Sequence, residues 1–435
     1  MKKMQHKMNS LFAWLVCLSA ALFFFYEFIQ LNLFDAISEN LINDFSLNPT
    51  QLGQLSSMYF YGNLVMVIPA GMLLDRFSTK LLISIAMAAC TLATFFFAIT
   101  TSLEVAIFCR LAEGLGAGFC FLAAIRLASR WFSADHLAFV TGVVVTMAMI
   151  GGTVAQAPLA MLSEAIGWRH AVIADAILGV ILLAWILFFL KDRPHQTKTG
   201  LENVAKEEKQ LHDMGVFKSL LFVFKNHNNW LGGLYTSLLN LPIFILGALW
   251  GILYLQQEHG LTHTQGSYVT SMLFVGVIFG SPAFGWFSDR IHSRRIPMII
   301  GAISSLFIIL AIMFITPLPL SALLILFFLL GFLTSSQVIA YPAVAELNPI
   351  ELTGSALSII SFTIMISGLI AQPLFGWFIQ LHSHRITASG HFAFLHTDFL
   401  RAMSIMPIAF VLGLVIAFIM KETGCKSKYE HLPKK

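Results

Sequence analysis

Charge is the scarcest ingredient of this chain. Only 11% of its residues are Asp, Glu, Lys or Arg, where a soluble domain carries about a quarter. The basic residues sit in short loops and form no patch, which argues against a nucleic-acid partner. The five cysteines form no CxxC pair and join no histidine cluster, so neither a disulfide framework nor a zinc site is implied. No Ser/His/Asp set, H-E-x-x-H helix or phosphate loop is present, and an enzyme is not expected. No cofactor or metal is expected either. A channel is disfavoured because no re-entrant filter segment or repeated ring motif appears.

What the chain has is apolar bulk. Hydrophobic residues make up 57% of it, including 40 Phe and 18 Met, and the mean hydropathy is +0.80. A water-exposed fold cannot hide that much, so the solvent is largely lipid. The opening MKKMQHKMNS resembles the basic flank of a signal peptide. The apolar run behind it is longer than a signal core and ends in no small-x-small site, so it is read as a first transmembrane helix.

Apolar runs long enough to cross a bilayer, about 20 residues each, lie near 11–33, 51–74, 81–100, 103–127, 137–162 and 169–190. Six more lie near 230–256, 267–288, 297–316, 319–341, 352–379 and 399–420. The expected fold class is an all-α polytopic membrane protein, with twelve transmembrane helices in two pseudo-symmetric six-helix bundles. Residues 1–190 form the first bundle and 229–421 the second. Residues 191–228 are a cytoplasmic linker whose end, MGVFKSLLFVFKN, can lie along the membrane surface, and 422–435 form a cytoplasmic tail. With both termini inside, all Lys and Arg fall on the cytoplasmic side except Arg110, within the membrane, and Arg169, Arg385 and Arg401. The loop SENLINDFSLNPT carries two acids and no base. This asymmetry sets the direction.

Two landmarks recur about half the chain apart. GMLLDRFSTK at 71–80 matches GWFSDRIHSRR at 285–295, and GGTVAQAPL at 151–159 matches SGLIAQPLF at 367–375. Gly71 maps to Gly285 and Gln156 to Gln372 with nearly the same displacement, as a duplicated six-helix unit requires.

The two Asp-Arg loops resemble the loop signature of the major facilitator superfamily, roughly G-x-L-x-D-R-x-G-R-K. RLAEGLGAG at 110–118 resembles its fourth-helix pattern. The resemblance spans the whole chain. It implies a secondary transporter working by alternating access, with a small-molecule substrate and protons as partners. It also implies a monomer in the lipid of a bacterial inner membrane. In the family the loop acts as a cytoplasmic gate, which assigns Gly71, Asp75, Arg76 and Lys80 in the first copy. The second copy supplies Gly285, Asp289, Arg290, Arg294 and Arg295. The first loop departs from the pattern at Ser78 and Thr79. Physically, Gly71 suits close helix approach, and Asp75 can face a helix N-terminus and accept from Arg76 or Lys80. The bland alternative is that Asp75 and Arg76 only mark topology.

FFFYEF, LLDRF and RLASRWFSADHLAFVTG in the first half also resemble the phagosomal transporters of intracellular bacterial pathogens. That resemblance implies uptake of an amino acid or nucleoside.

Ionisable groups inside spans are expensive and usually functional. Glu27 lies in the first span, Arg110 and Glu113 in the fourth, and Asp175 in the sixth. At 1.5 Å per residue, Glu27 is about 24 Å and Arg110 about 10 Å along their helices. Both depths fall in the outer half. Glu27 is expected to pair with Arg110. Burial favours a neutral carboxyl and the arginine an ionised one, and a group balanced between them can carry a proton. The competing arrangement is a static Arg110–Glu113 pair at i, i+3. Asp175 is expected near enough to the outer surface to be hydrated.

Tyr26, Gln30, Asn63, Gln156, Asn240, Gln337 and Gln372 are candidates to line a substrate cavity, although lone amides in spans more often bond between helices. Of Tyr59 and Tyr61, at most one faces the path. Pro158, Pro373 and Pro242 lie close after Gln156, Gln372 and Asn240 and loosen the helix there. The drug-exporter pattern G-x-x-x-G-P-x-x-G-G is missing from MAMIGGTVAQAPLAML, which tilts the expectation toward proton-coupled uptake. The alternatives are proton-coupled export of a drug, siderophore or organic anion, and a non-transporting sensor. His382, His384, His391 and His396 cluster in the last outer loop and are read as hydrated, since no helical i, i+4 spacing joins all of them, with metal capture as the alternative.

Overall fold

The structure, a computed structural model, describes residues 2–132, 134–192, 223–349, 352–381 and 396–427, except the side chains at 2–10, 75–76, 129, 134–139, 354 and 396. Most of the expected linker, the side chains of Asp75 and Arg76, and the four clustered histidines' side chains lie outside the described residues.

The chain divides into two compact units, Met1–Gly200 and Leu201–Lys435. In the first unit the membrane-length helices are α1 (Leu11–Phe45), α2 (Pro49–Leu74), α3 (Thr79–Ile99), α4 (Leu103–Ala128), α5 (Val140–Ile166) and α6 (Trp168–Phe189). In the second, α7 is a pair, His227–Leu239 and Ile243–His259, bent by 41° at its break. It is followed by α8 (His263–Ile291), α9 (Arg295–Phe314), α10 (Leu320–Glu346), α11 (Ser355–Gln380) and α12 (Thr397–Ile419). Eleven of these are single helices long and apolar enough to cross a membrane, and the bent pair makes the twelfth.

The duplication is visible in the packing. α1 packs on α5, α2 on α4 and α3 on α6; in the second unit α7 packs on α11, α8 on α10 and α9 on α12. Local signals repeat with it. The Asn48 side chain accepts from Gln51 N, and the Gln51 side chain accepts from Asn48 N. Thr262 and Gln265 make the same reciprocal cap at the start of α8. Each such box satisfies two otherwise orphaned backbone donors.

Glycine sets the closeness of α2 to α4 and of α8 to α10. A Cβ at Gly114 would run into the Tyr59 carbonyl, and one at Gly331 into the Leu273 carbonyl. Gly71 was expected to serve close helix approach, but a Cβ there, or at its counterpart Gly285, meets nothing within 4 Å among the described residues. The tight crossing is made nearer mid-span, where the helices converge.

α1 overruns its expected end near residue 33 and stays helical to Phe45. No glycine or proline interrupts it before Pro49, so nothing stops propagation. The overrun carries Asp35, which lies beyond the expected end of the span, into full burial.

Candidate functional site

The first unit concentrates its buried charge where α1, α3, α4 and α6 meet. Tyr26, Glu27 and Gln30 share one face of α1 through i, i+3 and i, i+4 spacing. Arg110 and Glu113 do the same on α4. All five are buried, and Arg110 is 1% exposed.

Arg110 Nη1 donates to Glu113 Oε2 at 2.7 Å and to the Gln30 backbone carbonyl at 2.8 Å. Its guanidinium carbon lies 4.2 Å from the centre of the Phe34 ring and 5.2 Å from that of Tyr59. The expected Glu27–Arg110 ion pair is therefore not the one made. Glu113, one turn away on the same helix, takes the cation, and the Tyr59 ring occupies the approach from α2. Tyr59 connects the two instead. Its hydroxyl donates toward Glu27 Oε2 at 3.3 Å while its face lies against Arg110. Tyr61, its neighbour on the opposite side, is exposed.

Asp175 corrects a second expectation. It is 6% exposed, and its Oδ2 accepts from Gln30 Nε2 at 2.5 Å. Thr94 on α3, which sequence reasoning did not single out, sits at the junction. Its Oγ1 is 3.2 Å from Gln30 Oε1, 3.3 Å from Glu113 Oε1 and 3.0 Å from the Cys90 carbonyl, and it accepts from the Tyr26 hydroxyl at 3.3 Å. No sequence pattern marks such a threonine.

Three buried polar atoms of this cluster have no hydrogen-bond partner among the described residues: Glu27 Oε1, Arg110 Nε and Arg110 Nη2. The last two form one edge of the guanidinium, a planar fork that matches the two oxygens of a carboxylate. Unmet donors on a buried cation are costly, and such an edge is where an anionic group is best received.

The other cavity candidates fall elsewhere. Gln156 Nε2 donates to the Asn32 carbonyl on α1 at 3.5 Å, and Gln372 Nε2 to the Phe244 carbonyl on α7 at 3.0 Å. These duplicated glutamines thus tie the fifth helix of each unit to its first. Gln337 Nε2 donates to Asn240 Oδ1 at 3.0 Å, bridging α10 to the break in α7. Asn63 is half-buried on α2, outside the charged cluster.

The two Asp-Arg loops are pinned in one way. In the first unit the Asp192 carboxylate accepts from Ser78 Oγ and, at 2.7 Å, from Lys80 N at the start of α3. Lys80 Nζ, expected on Asp75, donates to the Leu187 carbonyl at 2.6 Å. In the second unit Glu422 accepts from Ser293 Oγ at 2.6 Å and from the backbone N–H of Arg294 and Arg295 at 2.9 and 3.0 Å. Partial burial disfavours the Glu422 carboxylate, but these donors outweigh it and lower its pKa to about 2. Arg294 pairs with Asp289 at 2.7 Å and Glu346 at 2.6 Å. Arg295 donates to the Phe418 carbonyl at 2.5 Å, and Arg290 lies over the Trp286 ring. Sequence reasoning missed both acids. Their signal is a repeat, FLKD at 189–192 against IMKE at 419–422.

Comparison with known proteins agrees with this architecture. The chain is 23% identical over 354 residues to the probable sulfoacetate transporter SauU of Cupriavidus necator, covering 78% of this chain and 80% of that one. It is 23% identical over 373 residues to the D-galactonate transporter of Escherichia coli, covering 79% and 84%. A bacterial homolog of the human lysosomal transporter Spinster, solved inward-facing and unoccupied, superposes with a TM-score of 0.72 at 16% identity, covering 94% of this chain and 95% of that one. The family profile described as Major Facilitator Superfamily matches residues 16–251 and 233–428. With both halves matched, the chain belongs to the Major Facilitator Superfamily and is a multi-pass membrane transporter of small organic solutes, not an enzyme.

Proposed function

We propose that the protein is a proton-coupled importer of a small organic solute bearing a carboxylate. It works as a monomer in a bacterial inner membrane, with both termini and both Asp-Arg loops on the cytoplasmic side. The distribution of Lys and Arg supports that orientation. The observation that carries the substrate reading is the buried Nε/Nη2 edge of Arg110, unpartnered between Phe34 and Tyr59. An organic acid or an amino acid supplies the carboxylate this fork fits. A nucleoside, the other substrate implied by the phagosomal resemblance, does not. The names of the two relatives are consistent, since sulfoacetate and D-galactonate both carry a carboxylate.

Charge balance supplies the coupling. The cluster holds one cation, Arg110, and three carboxyls, Glu27, Glu113 and Asp175. An arriving anion adds a further negative charge where net charge is costly. A proton taken up with the substrate removes that cost. Glu27 is the carrier, because its Oε2 accepts from the neutral Tyr59 hydroxyl and, among the described residues, neither of its oxygens is ion-paired with a cation.

The test is uptake into proteoliposomes under an inward proton gradient, with labelled D-galactonate, sulfoacetate, neutral amino acids and uridine. Uptake of a carboxylate-bearing solute, lost in Arg110→Ala, is the expected result. Uptake of uridine alone would refute the reading.

A further inference from the structure

We propose that Asp175 and Glu113 share one proton through Gln30 and Thr94, and that its position decides whether Arg110 is held by Glu113 or released to the substrate. The proposal rests on the reading of Arg110 as the carboxylate site and adds the device that controls it.

Hydrogens are in short supply at this junction. The Thr94 hydroxyl has one proton to give, and both Gln30 Oε1 and Glu113 Oε1 lie within reach of it, with the Cys90 carbonyl as a third acceptor. The Gln30 amide has an oxygen at one corner and an NH2 at the other. A half turn about its last bond exchanges them at the same positions.

Two complete arrangements follow. With Asp175 ionised, Gln30 Nε2 donates to Asp175 Oδ2 and Gln30 Oε1 takes the Thr94 proton. Glu113 Oε1 then receives nothing from Thr94. With Asp175 protonated, its O–H donates to Gln30 Oε1, and Nε2 turns to donate to Thr94 Oγ1. Thr94, now accepting from both Gln30 and Tyr26, gives its only proton to Glu113 Oε1. The second arrangement stabilises Glu113 as a carboxylate and strengthens its hold on Arg110. The first favours a proton on Glu113, which weakens that hold. The proton count is the same in both: one proton leaves Asp175 and one is bound at Glu113. No backbone movement is required.

The surroundings leave these groups to set each other. Tyr26 on α1 and Glu113 on α4 act electrostatically with Asp175, and the other buried titratable or charged groups on the helices of this junction include Glu27 and Asp35 on α1, Cys90 on α3 and Arg110 on α4. Arg169 and His170 lie near the start of α6 itself, and Glu164 lies exposed at the end of α5. Arg169 is committed to the Ala98 and Thr100 carbonyls and to Asp44. Among the described residues, only Gln30 is bonded directly to the Asp175 carboxylate. Gln30, Thr94 and Asp175 are thus positioning residues, acting on substrate through Glu113 and Arg110.

The test is a titration of the full-length protein in lipid, without substrate, following protonated-carboxyl bands by infrared difference spectroscopy. Bands are assigned by subtraction with Glu113→Gln and Asp175→Asn. Asp175→Asn is expected to move the Glu113 midpoint by about one pH unit, the worth of one charge-assisted hydrogen bond. A neutral residue 175 hands the Thr94 proton to Glu113, so that shift is downward; Thr94→Val removes the donor and is expected to shift the midpoint upward, and adding Asp175→Asn to Thr94→Val is expected to produce no further shift. Thr94→Ser, which keeps the hydroxyl, is expected to restore the wild-type midpoint. Should Asp175→Asn fail to fold, the Thr94→Val and Thr94→Ser pair carries the test alone. A Glu113 midpoint unmoved in Thr94→Val overturns the proposal. Binding of D-galactonate or sulfoacetate is measured in parallel. Coupled midpoints with neither ligand bound overturn the carboxylate reading, and uncoupled midpoints with binding intact overturn the relay.

Discussion

The two units repeat each other in packing and differ in chemistry. α2 crosses α4 through Gly114 as α8 crosses α10 through Gly331. The capping boxes, the fifth-helix glutamines and the acids after the sixth helix all recur. The buried interior does not. The first unit holds Arg110, Glu113, Glu27 and Asp175 in contact or one bridging residue apart. Away from its Asp-Arg loop and from Asp398, buried near the start of α12, the second unit joins its described helices with neutral groups. Tyr235 bonds to Ser336 and to the Met298 carbonyl, Gln337 to Asn240 and Thr236, and Gln372 to Phe244. Duplication thus preserved what holds a helix against its neighbour and let diverge what binds an ion. Neutral bonds cost little to keep in lipid, whereas a buried charge persists only where it is used.

The largest test of this contrast is to remove the cation. Arg110→Ala loses two charge-assisted donors to substrate, each worth about 1.5–3 kcal/mol, so uptake is expected to fall at least about a hundredfold. The same variant strands Glu113, at a cost of about 3–5 kcal/mol. Thermal unfolding should show that loss, and Glu113→Ala added to it should recover stability without recovering uptake. In the second unit, Gln337→Leu removes one neutral bond of about 1 kcal/mol, for an expected fall of about fivefold. Equal losses from the two variants would erase the contrast.

The next effect concerns coupling. One proton carried per cycle lets one pH unit of gradient support about tenfold accumulation. Glu27→Gln is expected to abolish that tenfold factor, read as the accumulation ratio with and without a gradient, while exchange of labelled for unlabelled substrate continues. Accumulation that still follows pH in this variant would move the carrier away from Glu27.

Where the units are alike, substitutions should act alike. Gly114→Ala and Gly331→Ala each push a methyl into a facing carbonyl. Each is expected to cost about 1–3 kcal/mol, read as matched drops in unfolding temperature.

Much of this was legible beforehand, because lipid imposes a simple rule on composition and length. The membrane-length helices, the duplication and the presence of Glu27, Arg110 and Glu113 inside the spans follow from apolar runs and rare charges. What the sequence hid was partnership. Arg110 could reach a carboxylate on its own helix or across to α1, and only the Tyr59 ring, placed by the close α2–α4 crossing at Gly114, decides between them. Thr94 was invisible, since a hydroxyl in an apolar helix usually bonds back to its own turn, as Thr91 does to Met87. Asp175 was misjudged because depth along a helix says nothing of what covers its side.

The smallest expected effect separates the two acids that pin the loops. Glu422 accepts from Ser293 Oγ and from the backbone N–H of Arg294, Arg295, Thr423 and Gly424, whereas Asp192 accepts from Ser78 Oγ and Lys80 N. Losing such a helix-start acceptor costs about 1 kcal/mol, and Glu422→Gln should cost more than Asp192→Asn. The pH dependence follows from the lowered Glu422 pKa. The folded state binds this proton less readily than the unfolded chain, whose carboxyl titrates near the ordinary 4.5, while the folded value is about 2. Its stabilisation is therefore complete above 4.5 and fades as the pH falls through that window toward 2. Unfolding midpoints of wild type and Glu422→Gln should differ at neutral pH and converge in acid. A gap that persists at the acid end would mean that the glutamate acts by shape and not by charge, and that the second loop is held as loosely as the first.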